Sequence, residues 1–196
     1  MIAVEWFGFR AKKHTMALVF RLLMAALLAA TLPAQAQEED AVLLVAHPQF
    51  RDLDYRQTVL LASPAPNGGH VGVILNRPAP VRHERTGESI YSGGPVMPRT
   101  LVALFRSDEP PEAPAFHVLK RVYLSMHPDN IERQLARPAG NLRLFAGFSG
   151  WAPRQLEAEI GRDGWYVLPA NEELLFREDT TGMWGELVER ARGAKT

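Results

Sequence analysis

The 196-residue chain contains no cysteine. That absence removes disulfides, thiolate metal sites, a cysteine nucleophile and a lipidated N-terminal cysteine together. It also makes the chain indifferent to the redox state of its compartment, so export is permitted. An excess of one charge is missing too, since 22 Lys and Arg balance 22 Asp and Glu. No basic stripe is present to follow a phosphate backbone, so nucleic acid is not an expected partner. No internal repeat or low-complexity segment breaks the chain. The five histidines after residue 36, His47, His70, His83, His117 and His127, form neither His-x-His nor His-Glu-x-x-His, so no metal site and no cofactor are expected.

What is present begins with a leader. Leu22–Leu32 is an uncharged apolar run of 11 residues, preceded by Arg10, Lys12, Lys13 and Arg21 and followed by Pro33-Ala34-Gln35-Ala36-Gln37. A basic segment, a short apolar segment and an Ala-x-Ala site form a secretory signal, with cleavage expected after Ala36. The run is too short to span a bilayer, which needs about 20 residues. The expectation is a periplasmic or secreted protein without a stable membrane anchor; Met1 and Met16 are both possible starts, and a misread leader would leave the protein cytoplasmic. Without residues 1–36 the basic count falls from 22 to 18 and the acidic count from 22 to 21, a net charge of −3. Residues 37–40 read as a linker, and 41–196 as one domain of ordinary size.

Within that domain Ala41–Ala46, Thr58–Ala62 and His70–Asn76 are apolar runs read as strands, the last two joined by an Asn67-Gly68 hairpin signal. Residues 79–90 read as a polar loop or short helix, and Tyr91–Pro98 as a Gly/Pro turn. Leu101–Phe105, Phe116–Leu119 and Val122–Met126 are further strands, and Asp129–Ala136 a short helix. Leu142–Phe148 is expected to be a strand that turns tightly on Gly147 and Gly150, with Gly150 strained, and enters a helix at Pro153. Trp165–Leu168 follows as a strand. A last helix over 182–192 is expected to be capped by Thr180 or Thr181. Local strand pairing followed by alternating strands and helices gives an α+β domain with a mixed sheet.

Candidate chemistry is sparse. Ser149 sits between Gly147 and Gly150, but a nucleophile elbow is Gly-x-Ser-x-Gly, and here the second glycine comes one place early. Gly93-Gly94-Pro95 could cradle an anion, yet no helix opens there. The His47-Pro48 and His127-Pro128 pairs end strands and could converge. Glu157 and Glu159 point about 200° apart on a helix and read as solvated. No complete catalytic set emerges, and no catalytic residue is assigned.

The order of Leu44-Val45-Ala46-His47-Pro48, Tyr55-Arg56-Gln57-Thr58-Val59, Gly72-Val73-Ile74-Leu75-Asn76-Arg77-Pro78, Tyr91-Ser92-Gly93-Gly94-Pro95-Val96 and Gly147-Phe148-Ser149-Gly150-Trp151 with Gln155-Leu156-Glu157 resembles the YqgE/AlgH family over residues 41–192. The resemblance implies a single α+β domain whose mixed sheet is partly barrel-like and flanked by helices. It also implies proteins often labelled transcriptional regulators, without a recognisable DNA-binding motif or an established enzymatic activity. Its shared surface would carry Asn76, Gly93, Gly94, Ser149, Trp151 and Gln155 as ligand-binding candidates. The leading expectation is an exported, non-catalytic binding or regulatory module whose partner is a protein or a small molecule. The alternatives are a small hydrolase-like enzyme with a pocket at Gly147–Trp151, or a cytosolic transcriptional regulator.

Overall fold

The computed structural model describes residues 41–137 and 140–194. The expected leader and linker lie outside them. In chain order the elements are β1 (Val42–Ala46), β2 (Val59–Pro64), β3 (His70–Ile74), β4 (Pro78–Arg82), β5 (Ser89–Ser92), β6 (Val96–Arg106), β7 (Phe116–Leu119), β8 (Val122–Ser125), α1 (Pro128–Leu135), β9 (Leu142–Trp151), α2 (Gln155–Ile160), β10 (Trp165–Pro169), α3 (Glu172–Leu175) and α4 (Met183–Gly193).

The strands form one sheet in the order β10-β1-β2-β3-β9-β6-β8-β7, with β5 beside β9 and β4 paired to β5. Every pairing is antiparallel except β5 with β9, so the sheet is mixed by a single parallel pair. The expected partial barrel is not realised. The sheet curls until the Ala41 N–H reaches the Val118 carbonyl at 3.2 Å and the Ser63 hydroxyl reaches that of His117 at 3.1 Å. No ladder crosses that gap, and the sheet stays open.

Strands without polar alternation are buried on both faces. In β1, Leu43 and Val45 enter the main core with Leu61, Val73, Phe145, Leu175 and Leu187, while Leu44 and Ala46 face a second cluster with Leu60, Ile74, Trp151, Leu156 and Trp165. The helices α3 and α4 supply Leu174, Leu175, Met183, Leu187 and Val188 to the main core. The short helix α2 covers the second cluster through Leu156. A third cluster packs Ile131 and Leu135 of α1 on Phe105 and Leu144. The Asn67-Gly68 hairpin forms as expected: Gly68 has φ +79° and Asn67 Oδ1 accepts from the Gly69 N–H at 3.0 Å.

Several expectations need correction. Residues 79–90 are neither helix nor open loop but most of the β4–β5 hairpin, whose edge strand tolerates Pro78 and Pro80 because it pairs on one side only. Gly147–Trp151 is not a turn. It is the second half of β9, where Ser149 pairs with Gly72, Gly150 with Val71 and Trp151 with His70. Gly147, at φ +72°, marks a kink in that strand where its register with β6 shifts, between Ala146 paired with Leu101 and Phe148 paired with Val96. Pro153 therefore precedes α2 rather than opening it. The last helix takes Gly182 in the left-handed conformation at its N-cap, with no side-chain cap from Thr180 or Thr181.

Candidate functional site

The second cluster is closed by a carboxylate. From α2, Glu159 Oε2 accepts from both indoles, Trp151 Nε1 at 3.1 Å and Trp165 Nε1 at 3.0 Å. Its other oxygen accepts from Gln155 Nε2 at 3.0 Å, and Gln155 Oε1 accepts from the Ala152 N–H at 3.1 Å. Trp151 ends β9 and Trp165 begins β10, so one side chain clips together two strands that are not neighbours in the sheet. Glu159 is thus not a free solvated acid. Its place four residues after Gln155 lets both amide and acid face the indoles.

Tyr55 packs edge-on against Trp165 at 5.8 Å between ring centroids, and Phe50 lies 4.9 Å away from the same ring. Burial pushes the Tyr55 phenol up, a hydrogen bond with Ser149 opposes this, and the charges of Asp52, Glu159 and Asp54 add to the rise. Ser149 is completely buried and donates to the Gly93 carbonyl at 3.4 Å. No histidine is among its partners.

The other sequence candidates are tied into the backbone. Asn76 Oδ1 accepts from the Val59 N–H at 2.8 Å and its Nδ2 donates to the Gln57 carbonyl at 3.0 Å, pinning the start of β2. Gly93 bridges two strands: its N–H donates to Ala146 and its carbonyl accepts from Ile74, both at 2.9 Å. A Cβ on Gly93 would sit 2.2 Å from the Gly147 carbonyl oxygen, and one on Gly94 2.4 Å from that of Phe148. Gly150, expected to be strained, has no positive φ, and a Cβ there would meet only ordinary contacts at 3.8 Å or more. The structure therefore brings Gly93, Gly94 and Ser149 together, and Trp151 with Gln155, while Asn76 serves β2. The two His-Pro pairs have separate local roles. His47 lies against Tyr166 at 4.9 Å, and His127 caps α1 by accepting from the Asp129 N–H.

One functional candidate escaped the sequence reading. Arg143 is the second residue of β9, between Leu142 and Leu144, and strand alternation points it to the same side as Phe145, toward the main core. It is 7% exposed. Its guanidinium lies 4.1 Å above the Tyr91 ring and donates at 2.9 Å to the carbonyls of Leu175 and Leu75. Burial draws its pKa below the ordinary arginine value, with Tyr91 working against that fall. Beside it opens a cleft of 390 Å³, lined also by Arg82, Ser89, Tyr91, Phe176, Glu88 and Glu178. A single arginine in the apolar run Leu142–Phe148, in phase with a core phenylalanine, was the available signal.

A model of the AlgH-like family matches residues 43–195. The chain belongs to that family. Among relatives, a UPF0301 protein of Thermobifida fusca (strain YX) is 31% identical over 170 residues, covering 77% of this chain and 86% of its own. One from Myxococcus xanthus (strain DK1622) is also 31% identical, over 155 residues, covering 72% and 84%. The solution structure of the AlgH protein from Pseudomonas aeruginosa superposes with a TM-score of 0.64 at 23% identity, covering 76% of this chain and 87% of that one. A crystal structure of a Corynebacterium diphtheriae protein gives 0.62 at 23% identity, covering 77% and 86%. These likenesses to solved structures concern the fold of the AlgH-like domain.

Proposed function

We propose that this AlgH-like protein is an exported, non-catalytic binding or regulatory module. The observation that carries the reading is Ser149, the residue that the sequence alone offers as a hydrolase nucleophile, which lies inside β9 paired with Gly72. It has no exposed surface and donates to the Gly93 carbonyl. A serine nucleophile needs a base within hydrogen-bond reach and an open approach for the substrate carbonyl. Neither is supplied at this position. Asn76, Gly93, Gly94, Trp151 and Gln155 hold the strands and α2 beneath the outer surface, and the Arg143 cleft offers an opening for a small molecule. The leader, with its basic segment, apolar run and Ala-x-Ala site, supports delivery across the inner membrane.

Two measurements test the proposal. N-terminal sequencing of the native protein after cell fractionation should give a periplasmic species beginning at Gln37; a cytosolic species retaining Met1 or Met16 refutes export. The purified protein should show no ester, peptide or phosphoester turnover above background. A turnover that Ser149→Ala abolishes, without lowering thermal stability, refutes the non-catalytic reading.

A further inference from the structure

We infer that the cleft beside Arg143 binds a small oxyanion group, phosphoryl or carboxylate, with the Arg143 guanidinium as its anchor. The inference rests on the binding-module reading and names the chemistry that one site of the module would accept.

A buried cation ordinarily has a carboxylate partner, because backbone carbonyls compensate only part of the lost hydration. Among the described residues Arg143 has none. It meets the carbonyls of Leu75 and Leu175 and the rings of Tyr91 and Phe145, all of them uncharged. Arg143 is the only charged side chain among the buried described residues, whereas the arginines that form ion pairs are more exposed. Two of the five guanidinium N–H groups go to the carbonyls, and Arg143 keeps further donor capacity beside the opening.

The rest of the lining suits such a group. Arg82 stands at the exposed rim and donates to the Gly87 carbonyl at 2.8 Å, again without a carboxylate partner. Ser89 lines the wall, and its hydroxyl makes no protein hydrogen bond among the described residues. Tyr91 is fixed by donation from its phenol to the Glu178 carbonyl at 3.3 Å, which holds its ring under the guanidinium. Phe176, itself covered by Arg106 at 3.6 Å, closes one side with an apolar face. Two acids also line the cleft, half-buried Glu88 and exposed Glu178, and neither is ion-paired with Arg143. Their negative charge at the opening disfavours an extended polyanion and leaves a single small oxyanion as the fitting occupant.

The test uses the full-length chain, isotope-labelled for NMR and titrated with inorganic phosphate, with acetate and with chloride at matched ionic strength. The expected result is saturable shifts at the Arg143 side chain and at the Tyr91 and Leu142 amides with phosphate or acetate, and none with chloride. The stronger of the two arms identifies a phosphoryl or a carboxylate ligand. Arg143→Lys should weaken that binding by about tenfold or more, the loss of one charge-assisted hydrogen bond. Because that variant alters a buried position, Arg82→Ser provides a second arm at the exposed rim: binding should weaken while the melting temperature holds. Shifts that fail to saturate, that chloride reproduces, or that fall away from the cleft overturn the inference. So does unchanged binding in Arg82→Ser together with folded Arg143→Lys. Silent titrations would leave the non-catalytic reading standing, whereas a Ser149-dependent turnover would refute that reading and leave oxyanion binding intact.

Discussion

Replacing Glu159 by alanine should be among the most damaging surface substitutions in this domain. The carboxylate is half-exposed, but the indoles it holds are not: Trp151 is 5% exposed and Trp165 4%. Two hydrogen bonds to a charged acceptor would each contribute about 1.5–3 kcal/mol if fully buried. Water can reach the partly open carboxylate side, so the low end of that range applies, and the loss should come to about 2–4 kcal/mol. A domain of this size is stable by only about 5–15 kcal/mol, so the melting temperature should fall by roughly 5–15 °C. Glu159→Gln keeps an oxygen for the indoles and loses only the charge assistance, so its loss should be smaller, about 1 kcal/mol. Urea unfolding followed by tryptophan fluorescence measures both variants, with equal m-values showing that the same cooperative unit unfolds. A Glu159→Ala loss below about 0.5 kcal/mol, or a Gln variant as damaged as the Ala variant, would refute the clip.

Two further predictions concern other parts of the same region. Gly147→Ala places a Cβ 2.6 Å from the Gly94 carbonyl oxygen at a φ of +72°, and should cost about 1–3 kcal/mol or more. Gly150→Ala meets only ordinary contacts and should change stability by less than about 1 kcal/mol; urea midpoints that reverse this order would contradict the kinked-strand reading. For Tyr55 the folded-state pKa lies above the unfolded value of about 10, so its neutral form contributes stability that is present below pH ~10 and lost as pH rises through the folded value. Ultraviolet titration should show a tyrosine ionising later than the free phenol, and that late step should disappear in Tyr55→Phe. A titration curve unchanged by the substitution would argue against a buried phenol at Tyr55.

How much of this was legible in the sequence depended on whether a residue acts within its own strand or across the sheet. Runs such as Leu43–Ala46 and Leu101–Phe105 declare themselves because both faces are apolar, and the Asn67-Gly68 hairpin declares itself by turn chemistry. Gly147–Trp151 misled because glycines between a strand and a helix look like a turn. Only the pairing of Ser149 with Gly72 and Trp151 with His70 shows that the strand continues. The same holds for Gly93, whose need to be glycine comes from the Gly147 carbonyl, far away in sequence. Proline-rich β4 was unreadable as a strand for a complementary reason, since proline signals disorder of the ladder everywhere except on an edge. Glu159 was misplaced because helical geometry correctly separates it from Glu157 but says nothing of two indoles arriving from β9 and β10.

The division of labour between the two regions bears directly on where function should be sought. The runs on which the sequence resemblance rests, Asn76-Arg77, Gly93-Gly94 and Gly147–Trp151, spend their polar groups and close approaches on holding β2, β3 and β9 together. Arg77 donates to the carbonyls of Asp54 and Arg56, Asn76 serves both Gln57 and Val59, and buried Ser149 donates to the Gly93 carbonyl. A side chain saturated in this way has little left to offer a ligand. Arg143 is the opposite case. Its burial lowers stability unless something compensates the charge, and the fold provides a cleft at that point instead of a carboxylate. Stability alone would be served as well by a methionine or leucine at this place in the strand. The charge at this position therefore fits the binding role proposed for the cleft. On that reasoning a search for the ligand of this AlgH-like domain should start at the Arg143 cleft, and substitutions in the Gly147–Trp151 run should act mainly on folding.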